Sequence, residues 1–166
     1  MVRLNEVRPG EVQIDLPART DAEVYFIGRI RTPWTNRLEC PRQGRPDGPT
    51  CRIEVFAPWD KGLDSIVEFE RLEVLYWLHE SRRDLALQSP ASDGKARGVF
   101  SLRTPVRPNP IATSIVQLVK VDGSVLLVRG MDCLDGTPLI DLKPDRTLFK
   151  PIAPPQAGDY QVGDEP

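Results

Sequence analysis

The sequence predicts an all-β protein, a single small β-barrel with one or two short helices. Seven or eight short apolar or alternating runs are separated by Gly, Pro and Asp punctuation, the pattern of strands joined by turns. Only Leu63, Ile66 and Val67 have helical spacing. A chain of 166 residues, 40% apolar and 28% charged, suits one domain with its own core. Many short strands close into a sandwich or a barrel. No sequence feature separates the two, and a barrel is favoured because closure removes exposed edges.

Residues 1–20 read as an N-terminal tail or edge strand, with one alternating patch from Val12 to Leu16. The barrel is assigned to residues 21–150. It begins with a strand over Glu23–Arg31, carrying Val24, Tyr25, Phe26, Ile27 and Ile30. Thr32–Pro49 is a long loop rich in Pro, Gly and Arg, and loops of that length are usually functional or disordered. Cys51–Phe56 alternates as a strand, Trp59–Gly62 is a turn, and Leu63 to Glu70 gives one or two helical turns. Leu72–Leu78 is an apolar strand ending at His79, and Glu80–Arg97 reads as a mobile loop. Strands follow at Gly98–Leu102, Ile115–Val121, Ser124–Arg129 and Leu139–Leu142, with Asp122-Gly123 as a hairpin signal. Residues 151–166 form a proline-rich C-terminal tail.

Composition narrows the function. The formal net charge of −2 gives no overall basic field, so any nucleic-acid site must come from clustered arginines. Three cysteines without a Cys-x-x-Cys spacing, and one histidine, argue against a metal site and a disulfide framework. No run approaches the ~18 apolar residues of a membrane span, and no apolar signal segment opens the chain, so a cytoplasmic location is expected. Dinucleotide-binding and Walker glycine loops are absent.

Two polar loops remain. In Arg103–Ile111, three prolines fix φ, remove three donors and push the preceding residues to extended geometry. The result is a stiff loop presenting Arg103, Arg107 and Asn109. The second loop is Asp132-Cys-Leu-Asp-Gly-Thr-Pro138. With Pro41-Arg42-Gln43 and His79-Glu80, these loops can converge at one barrel mouth. Arginine forks suit carboxylates and phosphates, and aspartate suits an ammonium or sulfonium group.

Ile27-Gly-Arg-Ile-Arg-Thr-Pro33, Cys40-Pro-Arg-Gln43, Trp77-Leu-His79, Arg103-Thr-Pro-Val-Arg-Pro-Asn-Pro-Ile111, Asp132–Pro138 and Asp141-Leu-Lys-Pro144 occur in this order. Together they resemble the signatures of the TsaA/YaeB, or TrmO-like, family. The resemblance implies a TsaA-like barrel, commonly a homodimer, that binds S-adenosylmethionine outside the dinucleotide-fold class. It implies methylation of N6 of threonylcarbamoyladenosine at tRNA position 37. The cofactor residues it implies are Pro41, Arg42, Gln43, His79, Glu80, Arg103, Leu134, Asp135, Gly136 and Thr137. Glu80, Ala112 and Asp145 depart from the family's usual Gln, Gly and aromatic.

An exocyclic adenine nitrogen is a weak nucleophile, and a hydrogen-bond acceptor on it would help. Asn109 or Asp135 is the expected catalytic group. Arg45, Arg82, Arg83 and Arg107 are the expected RNA contacts. The alternatives are the same fold acting on a small-molecule acceptor, and a non-enzymatic S-adenosylmethionine-binding module.

Overall fold

A computed structural model describes residues 6–147, together with Pro154 and Ala157. The C-terminal tail expected over 151–166 otherwise lies outside the described residues. Among the described residues nine strands form: β1 (Val12–Gln13), β2 (Gly28–Arg31), β3 (Thr50–Val55), β4 (Arg71–Trp77), β5 (Leu85–Gln88), β6 (Arg97–Gly98), β7 (Ile111–Asp122), β8 (Val125–Arg129) and β9 (Thr137–Pro144). Six of them close into a barrel in the order β2-β3-β8-β7-β4-β9. Every pair in it is antiparallel. Helix is limited, among the described residues, to three 3-10 segments: Trp59–Leu63, Ile66–Glu68 and Val99–Ser101.

The alternation that predicted the strands also fills the barrel. Cys51, Ile53 and Val55 of β3 point inward, as do Leu72, Val74 and Tyr76 of β4. They meet Ile30, Val116, Leu126, Val128, Met131 and Leu139 in one core. A period of two puts every second side chain on the same face. The interior is therefore packed side chain, and any ligand site has to lie at the rim.

Beside the barrel, β1, β5 and β6 form a three-stranded sheet. Its cover is a small core of Leu85, Val99 and Val106. Two expectations change here. Within the loop expected over Glu80–Arg97, Leu85–Gln88 forms β5, because Leu85 is fully buried against that small core. The strand expected over Gly98–Leu102 is instead the end of β6 followed by a 3-10 turn, closed by the Leu102 N–H to the Val99 carbonyl (3.3 Å).

The strand expected from Glu23 starts only at Gly28. Val24, Tyr25 and Phe26 stay exposed, with Tyr25 against Trp59 and Phe26 against Trp77 on the outer surface. β7 begins directly after Pro110.

Leu139 is fully buried where β9 meets β2 and β4. Leu139→Ala should cost about 2–5 kcal/mol, read from urea unfolding as a lower midpoint with an unchanged slope.

Candidate functional site

At the rim, the loop between β2 and β3 is laced to the loop between β8 and β9. Asp135 accepts the Thr32 N–H (3.1 Å) and pairs with Arg31 (3.3 Å). The Asp135 and Gly136 N–H groups donate to the Trp34 and Ile30 carbonyls (2.7 and 2.9 Å). Thr32 Oγ1 donates to the Cys133 carbonyl (2.9 Å). Further along, the Asp132 carbonyl accepts Cys40 Sγ (3.2 Å), and the Asp132 carboxylate accepts the Gly44 N–H (3.2 Å). A Cβ on Gly44 would lie 1.7 Å from the Gly130 carbonyl oxygen, so only glycine fits there. Arg42 and Gln43 are thereby pinned between two anchored neighbours.

The stiff loop is braced differently. The Arg107 guanidinium donates to the Val99 and Leu102 carbonyls (3.1 and 2.9 Å) and lies over the Phe100 ring. Arg83 donates to the Pro108 carbonyl (2.5 Å) and to Asn109 Oδ1 (3.4 Å), and it stacks on Trp77.

Two cavities open among these loops. The smaller, about 300 Å³, is lined by His79, Glu80, Arg82, Gln88, Leu134 and Thr137, among others. The larger, about 780 Å³, is lined by Arg42, Gln43, Phe100, Arg103, Arg107 and Ser114, among others. Arg37, Leu78, Pro105 and Asp132 line both. The four segments singled out from sequence thus reach adjoining cavities with a shared wall.

Pro41, Gly136, Asp135, Asn109, Arg45 and Arg83 line neither cavity. Asp135 spends its carboxylate on the loop lacing, Asn109 meets Arg83, and Arg45 forms an exposed pair with Asp47 (2.8 Å). Arg82 lines the smaller cavity while held by Asp84 (2.7 Å) and by the Glu6 carbonyl (2.7 Å). Sequence reasoning missed Arg37 and Gln88, and it placed Asp132 in the second polar loop without giving it a role. The first aspartate of Asp132-Cys-Leu-Asp135 was the available signal, and the second was chosen.

On the inner face of the barrel end, Tyr76 and Ser114 both donate to Asp132 Oδ1, Ser114 at 2.8 Å, and their hydroxyl oxygens are 2.8 Å apart. Burial, then the Asp132 charge, pushes the Tyr76 phenol far up, so it stays a donor. Burial also raises the thiols, Cys51 to about 11 and Cys40 and Cys133 upward as well. Cys133 shares the smaller cavity with His79 but remains a protonated thiol, a poor nucleophile. Gln88 Oε1 is buried without a hydrogen-bond partner among the described residues. In a cavity wall, such an acceptor is a place for a ligand's donor.

Residues 29–148 match the family model of the tRNA-methyltransferase O N-terminal domain. The chain belongs to that family. It is 56% identical over 148 residues to the probable S-adenosyl-L-methionine-binding protein VirR of Rhizobium radiobacter, covering 89% of this chain and 85% of that one. It is 33% identical over 129 residues to the tRNA (adenine(37)-N6)-methyltransferase of Escherichia coli K12, covering 71% of this chain and 55% of the enzyme. The crystal structure of TrmO from Pseudomonas aeruginosa superposes with a TM-score of 0.64 at 28% identity, covering 86% of this chain and 64% of that one. No helix among the described residues is long and apolar enough to cross a membrane.

One wall of the smaller cavity depends on an ion pair. The Arg82 hydrogen bond, helped by Gln13, holds the Asp84 carboxyl at about 2, against an ordinary 3.8. The folded value lies below the unfolded one. The stabilisation is therefore present above 3.8 and is lost as pH falls through about 2. Asp84→Asn should lower the melting temperature near neutral pH, and the gap to wild type should close between those two values in thermal melts.

Proposed function

We propose that the protein is an S-adenosylmethionine-dependent methyltransferase acting on N6 of an adenosine in tRNA, threonylcarbamoyladenosine at position 37. The observation that carries this reading is the pair of cavities with a common wall, one lined by His79, Glu80, Leu134 and Thr137 and the other by arginines. Such a pair suits a donor and an acceptor that must exchange a group.

The donor set fits the cofactor. S-adenosylmethionine presents a carboxylate, an ammonium, a sulfonium and an adenine edge. The smaller cavity offers the Arg37 guanidinium, the unpartnered Gln88 Oε1 and the carboxylates of Glu80 and Asp132. When bound, the cofactor supplies an electrophilic methyl group. The chain's task is then to hold donor and acceptor in line, since positioning dominates such a transfer.

In the larger cavity Arg37, Arg42 and Arg103 present guanidinium groups. Phe100, 77% exposed at its edge, offers a ring face to a base. Arg42 and Arg103 have no carboxylate partner among the described residues, which leaves them available to anionic groups of a nucleotide.

The test is transfer of labelled methyl from S-adenosylmethionine to total tRNA from cells lacking the protein, followed by nucleoside mass spectrometry. Label in an N6-methylated adenosine is expected. Label in a small-molecule extract instead would move the acceptor to that class. Cofactor binding without transfer to either would leave a binding module. Arg103→Ala should weaken tRNA binding about tenfold in a fluorescence titration, with cofactor affinity and melting temperature unchanged; undiminished tRNA affinity would remove Arg103 from the acceptor cavity.

A further inference from the structure

Most of the partly buried carboxylates among the described residues are balanced by a cation. Asp135 pairs with Arg31, Glu54 with Arg31 and Arg52, Asp84 with Arg82, and Asp145 with Arg71. Glu73, the other carboxylate of the larger cavity, accepts from Thr113 Oγ1 (2.9 Å) and sits opposite Lys143 in the β4–β9 register.

Asp132 differs. Tyr76 Oη, Ser114 Oγ and the Gly44 N–H donate to it, and all three are neutral. No Arg, Lys or His side chain forms an ion pair with it among the described residues. Yet Asp132 is partly buried and lines both cavities. An ionised carboxylate withdrawn from water is costly unless a cation offsets it.

Its hydrogen bonds also leave it one opening. Oδ1 receives two hydroxyls, whereas Oδ2 receives only the Gly44 N–H. Each carboxylate oxygen has about two acceptor directions, so Oδ2 keeps one unused. The group is rigidly held as well. Tyr76 and Ser114 come from neighbouring barrel strands, and Gly44 is fixed by its close approach to Gly130.

We propose that Asp132 is the counter-ion of the cofactor's sulfonium, a positioning residue at the shared wall that selects the methylated cofactor over its demethylated product. The proposal rests on the cofactor reading above. The cofactor carries a second cation, its ammonium. The smaller cavity has separate acceptors for that group, Gln88 Oε1 and the Glu80 carboxylate. Asp132 lies instead where the two cavities meet, and only there does a methyl group face the acceptor side. A fixed negative charge at that point favours the sulfonium form and loses its attraction once the methyl has left, which promotes exchange of product for fresh cofactor.

Calorimetry with S-adenosylmethionine and S-adenosylhomocysteine tests this without turnover, because the second molecule keeps the ammonium and lacks the sulfonium charge. Wild type should prefer S-adenosylmethionine. Asp132→Asn should lose about tenfold or more for S-adenosylmethionine while changing S-adenosylhomocysteine by less than about twofold. Tyr76→Phe, which keeps the charge, should retain the preference. Should the amide variant not fold by circular dichroism, Asp132→Ser repeats the comparison. Equal losses for both ligands would place the carboxylate at the ammonium end and overturn the proposal, and so would an unaltered preference. Failure of wild type to bind either ligand would instead remove the cofactor reading itself.

Discussion

The rim of this barrel depends on a lacing between two segments about a hundred residues apart. Residues 30–44 have no regular structure of their own after β2 ends, and they take their shape from the 132–136 turn. Both ends of the contact are closed by aspartates, Asp135 at Thr32 and Asp132 at Gly44. Backbone groups that a loop would leave to water are satisfied inside the protein. Without that lacing, Arg42 and Gln43 would hang on a flexible chain and the larger cavity would lose a wall.

A division of labour follows among the charged groups. Arg107 and Arg83 brace the proline loop by donating to backbone carbonyls, so part of the positive charge serves architecture. Arg42 and Arg103 are not spent in this way. Counting arginines in the sequence therefore overstates the charge left for a ligand. The net charge of −2 is compatible with a locally positive cavity because Arg42 and Arg103 face it without a carboxylate partner among the described residues.

The barrel was legible because inward and outward residues alternate cleanly in β3 and β4, and because Asp122-Gly123 marks the β7–β8 hairpin. β5 was hidden: Leu85 sits in a polar stretch, and its burial depends on Val99 and Val106 from a different segment. The Val24–Phe26 run misled for the opposite reason, being apolar yet without a strand partner. The site was legible as a set of loops. Assigning roles within it was not, since Asp132 and Asp135 are three residues apart and equivalent in composition. What separates them is the partner each meets across the chain, a guanidinium for one and two barrel hydroxyls for the other.

The small outer sheet ties residues near the start of the chain to the smaller cavity. Arg8 stands in its wall, its amide held by Glu11 and its guanidinium by the Ser89 carbonyl. Glu11 in turn takes the Ser89 N–H (2.8 Å). The segment ahead of the first barrel strand thus supplies part of that cavity's wall. A recombinant form trimmed back to Gly28 would keep a closed barrel and present a breached pocket.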